Sequence, residues 1–444
     1  MSSIWKDIFN TSSTLLFKNL NEDETLSLEL SAEETNFIRF NSGKVRQGTK
    51  VEQGDLVLSL FWNGKTTSLT MPLSLNQEQN EKALKVNLER LQSEVKTLPD
   101  DPHIVMPTKG EESNTVINGE LPSAEEFIGL VKETTSGFDL AGYLTSGVVI
   151  RAMANSLGQN HWFETESFFF DYSLYTAKEK AIKGNYAGSH FSKDEFLINL
   201  NNSKEALAVM DIEQVELKPG SYRVYLAPSA VNEISSMLSW HALSGGAYKK
   251  GECPLSDLKD ERKFLSKKFS MKENFKMGVT PRFNKWGEVS DDELPIVING
   301  KLENLLVSKE TEKEYGLKSN KADSSEAPRS LEIQTGTLKR DEIFSKLGDG
   351  IYVSDLHYLN WSDKNNARLT GMTRFGCLKV ENGKVVGPIK DLRFDETLYQ
   401  IFGDDLEEVT EFSETMVSTG TYSQRSLGGA KLPGMLLKGF TFTL

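Results

Sequence analysis

Cysteine is almost missing from this sequence: Cys253 and Cys377 are the only two in 444 residues, far apart and in no CxxC pair. Their scarcity excludes a disulfide framework and a cysteine-rich zinc module, and leaves both as free thiols. Histidine is sparse too. His103, His161, His190, His241 and His357 are the five, and none falls in an HExxH arrangement. Long apolar runs are absent. No stretch approaches the roughly 18 uninterrupted apolar residues that cross a bilayer, and Met1 to Asn10 carries Lys6 and Asp7 among isolated apolars, with no signal-peptide core. No membrane contact and a cytoplasmic location are therefore expected. Basic charge is in deficit, with 51 Lys and Arg against 64 Asp and Glu and a net charge of −13. Such a field repels phosphate backbones, so nucleic acid is not an expected partner. P-loop, GxGxxG and GxSxG signatures are all missing, which removes the usual nucleotide and serine-nucleophile readings.

What remains is an ordinary globular mixture, 38% hydrophobic and 26% charged, long enough for two to three domains. Leu26, Leu28 and Leu30 alternate as a strand, as do Leu56, Leu58 and Leu60, and Asn63-Gly64 is a two-residue hairpin signal. Ser74 precedes a helix pattern through Leu84, Leu88, Leu91 and Val95. The segment from Pro99 to Pro122 has neither period and reads as a connector, followed by a helix over Ala124 to Glu133. Val148 to Ala152 and Trp162 to Tyr175 form a hairpin around Asn155-Ser156-Leu157-Gly158. Tyr222 to Leu226 predicts a strand running into a helix that carries Val231, Ile234, Met237, Leu238 and His241 on its apolar face. Beyond it the chain is mainly β, with Thr311 to Ala327 read as an exposed or mobile loop because it lacks apolar anchors. The expected fold class is α+β: an N-terminal strand and helix domain (1–102), a central domain containing a β-hairpin (103–218) and a larger β-rich C-terminal domain (219–444).

Few constellations carry chemistry. Ser244-Gly245-Gly246-Ala247 offers bare backbone amides for close approach to a ligand chain, or equally a helix cap. Glu164 and Glu166 share a strand face and read as solvated, as do the acidic turns Asp291-Asp292-Glu293 and Asp404-Asp405.

Taken in order, several segments resemble the TldD/PmbA family, also called modulators of DNA gyrase. They are Ile38-Arg39 with its turn, Ala154 to Gly158, Leu226-Ala227-Pro228-Ser229-Ala230 and Leu243 to Lys249. Pro328-Arg329 with Gly336, Glu381 to Lys384 with Gly387-Pro388, and the closing Pro433-Gly434-Met435-Leu436-Leu437 extend the likeness over nearly the whole chain. The resemblance implies a fold of that type and two branches of function. The TldD branch is a zinc peptidase with HExxxH on a helix and a Cys from the C-terminal region, whereas the TldE (PmbA) branch lacks these ligands. Aligning the family's Gly-His-x-Leu-Glu-Gly-Asp on Trp240 to Gly246 puts His241 at the second His, with Ser236 and Met237 where the first His and the Glu belong. Neither serine nor methionine supplies an imidazole ligand or a general base. What the resemblance implies is thus a TldE-like subunit without metal or catalytic residues of its own, with a homodimer when alone left open. It pairs with a TldD-type metallopeptidase subunit that brings the zinc, and acts on unfolded or small peptides. His241, Ser244, Gly245, Gly246 and Ala247 are the candidates for lining the peptide cavity. A self-sufficient metallopeptidase of the same family and a non-enzymatic peptide-binding or assembly protein are the alternatives.

Overall fold

The computed structural model describes residues 4–443. The chain opens with α1 (Ile4–Lys18), which buries Trp5, Ile8, Phe9 and Leu16 along one face. Next come β1 (Glu24–Asn41), β2 (Lys44–Trp62) and β3 (Lys65–Leu73). Two-residue turns join them: Ser42-Gly43, with φ of 50° and 66°, and Asn63-Gly64, with 46° and 76°. Positive φ at both central residues gives the turn a twist that matches paired strands. The N-terminal half is completed by α2 (Gln77–Glu94), β4 (Glu112–Ile117), α3 (Ala124–Thr134), β5 (Asp139–Asn155), β6 (Asn160–Tyr175), β7 (Ala181–Gly188) and α4 (Lys193–Val209).

These strands join in the order β3-β2-β1-β5-β6-β4, with β7 also paired to β6. The boundary expected between residues 102 and 103 therefore falls between strands of one sheet, since β1 pairs with β5 from Ser27↔Asn155 to Phe40↔Gly142. Alternation assigns the faces. Leu26, Leu28, Leu30, Leu56, Leu58 and Leu60 are buried in one core with α1 and α2. Phe40, Phe127, Phe168, Phe170 and Phe196 form a second core at the other end of the strands. Glu29 and Ser31 are one residue out of phase with the leucines and so lie on the opposite face.

The C-terminal half begins with β8 (Gly220–Leu226), α5 (Pro228–Ser236), α6 (Gly245–Lys250), α7 (Ser256–Lys259), β9 (Met271–Asn274), β10 (Glu293–Ile298) and β11 (Lys301–Leu302). It continues through α8 (Lys309–Tyr315), β12 (Ser330–Ile333), α9 (Ile343–Leu347), β13 (Gly350–Val353), β14 (Asp355–Asp363) and β15 (Arg368–Arg374). The last strands are β16 (Leu378–Glu381), β17 (Lys384–Pro388), β18 (Arg393–Thr397), β19 (Leu406–Val417) and β20 (Gly429–Phe442). Thirteen strands among the described residues form this sheet, along the path β11-β10-β9-β12-β20-β8-β13-β16-β17. The architecture is α+β, with the larger β-rich sheet at the C-terminal end. Among the described residues no helix is long and apolar enough to cross a membrane.

Four local expectations change. The first helix was not foreseen. The connector from Pro99 to Pro122 contains β4, which pairs in parallel with β6. The helix expected to begin after Ser74 is capped by Asn76, whose side chain accepts the Gln79 N–H. The segment Thr311 to Ala327 is ordered, not a mobile loop: α8 runs into it, and Thr311, Ala322 and Glu326 are buried.

Candidate functional site

α5 starts with Pro228 at its first turn, where a missing N–H costs nothing, and buries Ala230, Val231 and Ile234. Helical spacing then puts Asn232, Ser235, Ser236 and Ser239 together along one polar stripe, and all four line a cleft of about 800 Å³. The opposite wall comes from the N-terminal sheet, through Glu29, Leu30 and Ser31 of β1 and Arg151 to Met153 of β5. Thr280, Pro281 and Phe283 to Lys285, Asp323 to Ser325 and Ala327 to Arg329, the end of β19 and the start of β20 close its sides.

The helix ends earlier than the sequence pattern suggests. Ser236 Oγ donates to the Glu233 carbonyl at 2.6 Å, Met237 to Ser239 tighten into one 3₁₀ turn, and His241 takes a left-handed φ of 72°. His241 is therefore not on the apolar face but exposed, with Nδ1 3.3 Å from the Lys364 ammonium. Met237 is buried in the core instead.

These residues do not fit zinc. A hydroxyl bound to its own helix, a buried thioether and an imidazole beside a cation supply no tetrahedral set. The cysteines supply no substitute. Burial pushes both thiols up to about 11, and Cys253 Sγ donates to the Ala242 carbonyl at 3.2 Å. Among the described residues no three His, Cys, Asp or Glu side chains are grouped to hold a metal ion.

The Ser244 to Ala247 segment does bind a carboxylate, but an internal one. Ser244 caps α6 by accepting the Ala247 N–H at 2.9 Å, and its hydroxyl donates to Glu326 Oε2 at 2.5 Å. The Gly246 N–H donates to the same oxygen at 2.8 Å, and the Ser308 N–H donates to Oε1 at 2.7 Å. A Cβ on Gly246 would stand 2.8 Å from Thr311 Oγ1 and 3.2 Å from Glu326 Oε2, so the glycine makes the close approach feasible. Burial pushes the Glu326 carboxyl up, yet the bonds from Ser244, Thr311, Ser308 and Gly246 outweigh it and hold the group below the usual carboxylate range. None of His241, Ser244, Gly245, Gly246 and Ala247 lines the cleft. The segment instead anchors Glu326, whose chain neighbours Ser325 and Ala327 line the cleft.

The two halves are tied across the cleft by the connection between β19 and β20. Arg425 is buried over the Phe169 ring and donates to the Gly147 and Ser167 carbonyls and to Ser167 Oγ. Burial lowers its guanidinium to about 10. Gln424 Nε2 donates to the Ser31 carbonyl and Asp55, and Tyr143 donates to the Thr419 carbonyl. Glu164 and Glu166 lie outside the cleft and accept from Trp162 Nε1 and the Gly119 N–H respectively.

The polar stripe Asn232-x-x-Ser235-Ser236-x-x-Ser239 is legible in the sequence as a helical period, although small polar residues at that spacing do not by themselves distinguish a cleft wall from a solvated face. The wall residues Glu29 and Asp323 carried no signal of their own.

A family profile described as the PmbA/TldA metallopeptidase C-terminal domain matches residues 219–444. No curated protein sequence matches the chain. Among solved structures, TldE from Thermococcus kodakarensis is 12% identical with a TM-score of 0.75, covering 100% of both chains. A protein from Bacteroides thetaiotaomicron, described as a modulator of DNA gyrase, is 16% identical with a TM-score of 0.75 over 100% of this chain and 99% of that one. Another of the same description, from Thermotoga maritima, is 14% identical with a TM-score of 0.72 over 99% and 100%. At such identities the structures speak for the fold, and the profile speaks for the family: the chain belongs to the TldD/PmbA metallopeptidase group.

Proposed function

We propose that this chain is the TldE-like, metal-free subunit of a two-chain metallopeptidase that acts on unfolded or small peptides. The observation that carries the reading is the end of α5. Ser236 and Met237 stand where zinc ligand and general base belong, and His241 is turned out beside Lys364. No residue of this chain is assigned to catalysis, and the zinc that polarises a scissile carbonyl and activates water belongs to a TldD-type partner.

The role left for this chain is to hold an extended substrate. β19 pairs with β20 alone, so from Phe412 to Val417 its other edge carries no strand among the described residues, and Met416 and Val417 reach the cleft. Strand addition at such an edge gives sequence-tolerant affinity through backbone hydrogen bonds. The Ser244 to Ala247 segment serves the cleft indirectly by fixing Glu326. The test is cleavage of casein or a small peptide by this chain alone, by a TldD-type partner alone and by the mixture. Cleavage that needs both chains supports the reading, and cleavage by this chain alone overturns it.

A further inference from the structure

The β1 wall of the cleft carries a carboxylate with nothing to hold it. Glu29 lies on the cleft face of the strand, opposite Met153 on β5, and among the described residues its carboxylate makes no hydrogen bond or ion pair. The nearest charges acting on it are Lys285 and Asp323. Lys285 is already committed, 2.9 Å from Glu310 and over the Trp286 ring. The other two cleft cations are committed as well. Arg151 donates to the Ile150 and Arg425 carbonyls, and Arg329 to the Pro281 and Phe283 carbonyls and to Ser290, with Glu273 as its counter-charge. Asp323 has no ion pair among the described residues, and its carboxylate accepts only the neighbouring Ser324 N–H. Two carboxylates thus face the cleft without a cation of their own.

A second observation is independent of charge. Ser235, on the polar stripe of α5, is 5% exposed and its hydroxyl has no partner, although the residue lines the same cleft. Buried polar groups in folded proteins are ordinarily paired, so an orphan hydroxyl and an orphan carboxylate lining one cleft mark a place where something else supplies the partners.

We propose that Glu29, with Asp323 and Ser235, forms a receptor for a cationic group of the bound peptide, either its α-ammonium or a lysine or arginine side chain. The proposal rests on the reading of the cleft as a peptide groove and adds a preference to it. A cation entering here takes the place of water at Glu29, and Ser235 accepts one of its protons. Burial pushes the Glu29 carboxyl up to about 7, with Lys285 opposing and Asp323 adding to the shift. Docking a cation therefore expels a proton, and affinity for a lysine peptide rises between pH 6 and 8. The charged groups around Glu29 in the cleft are Lys285, Asp323, Arg151 and Arg329.

The experiment is titration calorimetry on the chain and on the chain mixed with a TldD-type partner. Three alanine-serine hexapeptides serve as probes: one with a free amino terminus, one acetylated with a central lysine, and one acetylated with norleucine in its place. The expected result is that one or both cationic peptides bind about tenfold or more tightly than the norleucine peptide, and which of them does so identifies the source of the cation. E29Q should reduce that ratio to about twofold or less while leaving norleucine-peptide binding intact, and S235A should reduce it in part. Equal binding of all three peptides overturns the receptor and leaves the peptide groove standing. Binding of none of them, to chain or mixture, overturns both.

Discussion

Glu326 shows what a buried carboxylate requires in order to stay charged. Four donors converge on it from two separate segments, and its pKa falls although burial alone would raise it. Replacing it by Ala leaves those donors without an acceptor and should cost about 2–3 kcal/mol, read as a drop in the denaturant midpoint. Its folded pKa is depressed, so its stabilisation is present above the unfolded value of 4.5 and is lost as pH falls through the folded pKa. The melting temperature of E326Q should accordingly trail wild type at pH 7 and approach it once pH has fallen below 4.5 and through the folded pKa. Glu29 has the opposite sign. Its carboxyl is raised from 4.5 to about 7, so the native state holds the extra proton and the contribution of this group to stability declines as pH rises from 4.5 to about 7. E29Q should melt higher than wild type at pH 8 and show no such gain at pH 5. Neither residue announced itself in the sequence. Glu326 lies in a stretch whose lack of apolar residues suggested mobility, because order there comes from hydrogen bonds that hydropathy does not register.

At the scale of elements, periodicity was a good guide wherever burial was one-sided. The leucine alternation in β1 and β2 and the Asn63-Gly64 turn are where the pattern put them, since a one-residue slip would turn every leucine out. It failed where tertiary packing overrode local preference. α1 contains Asn10 to Thr14, a run of poor helix formers, yet the buried face from Trp5 to Leu16 holds it helical. α5 failed in the other direction: the apolar spacing continues past Ser236, but the backbone turns out at His241. That turn yields a prediction. Putting the family's residues back as S236H with M237E should not create a stoichiometric zinc site, because His241 remains in a left-handed conformation beside Lys364. Elemental analysis of the purified double variant checks it, and one zinc per chain would show that the helix end re-forms around metal. The resemblance was legible from motif order across the chain, whereas the cleft was not, because its walls meet only in the folded molecule.

For the whole molecule, the cleft exists because residues of both sheets line it, and Arg425 is a buried polar tie between the two halves. Arg425→Ala should uncouple the halves, seen in calorimetry as a broadened or split unfolding transition in place of a single one. The central claim is that this fold, in this chain, holds peptide for a metal carried elsewhere. The measurement that tests it most directly is zinc content of the purified chain, taken on the same preparation as a peptide-cleavage assay with and without a TldD-type partner. The account predicts no stoichiometric zinc and cleavage only in the mixture. Near-stoichiometric zinc together with cleavage by this chain alone would contradict it.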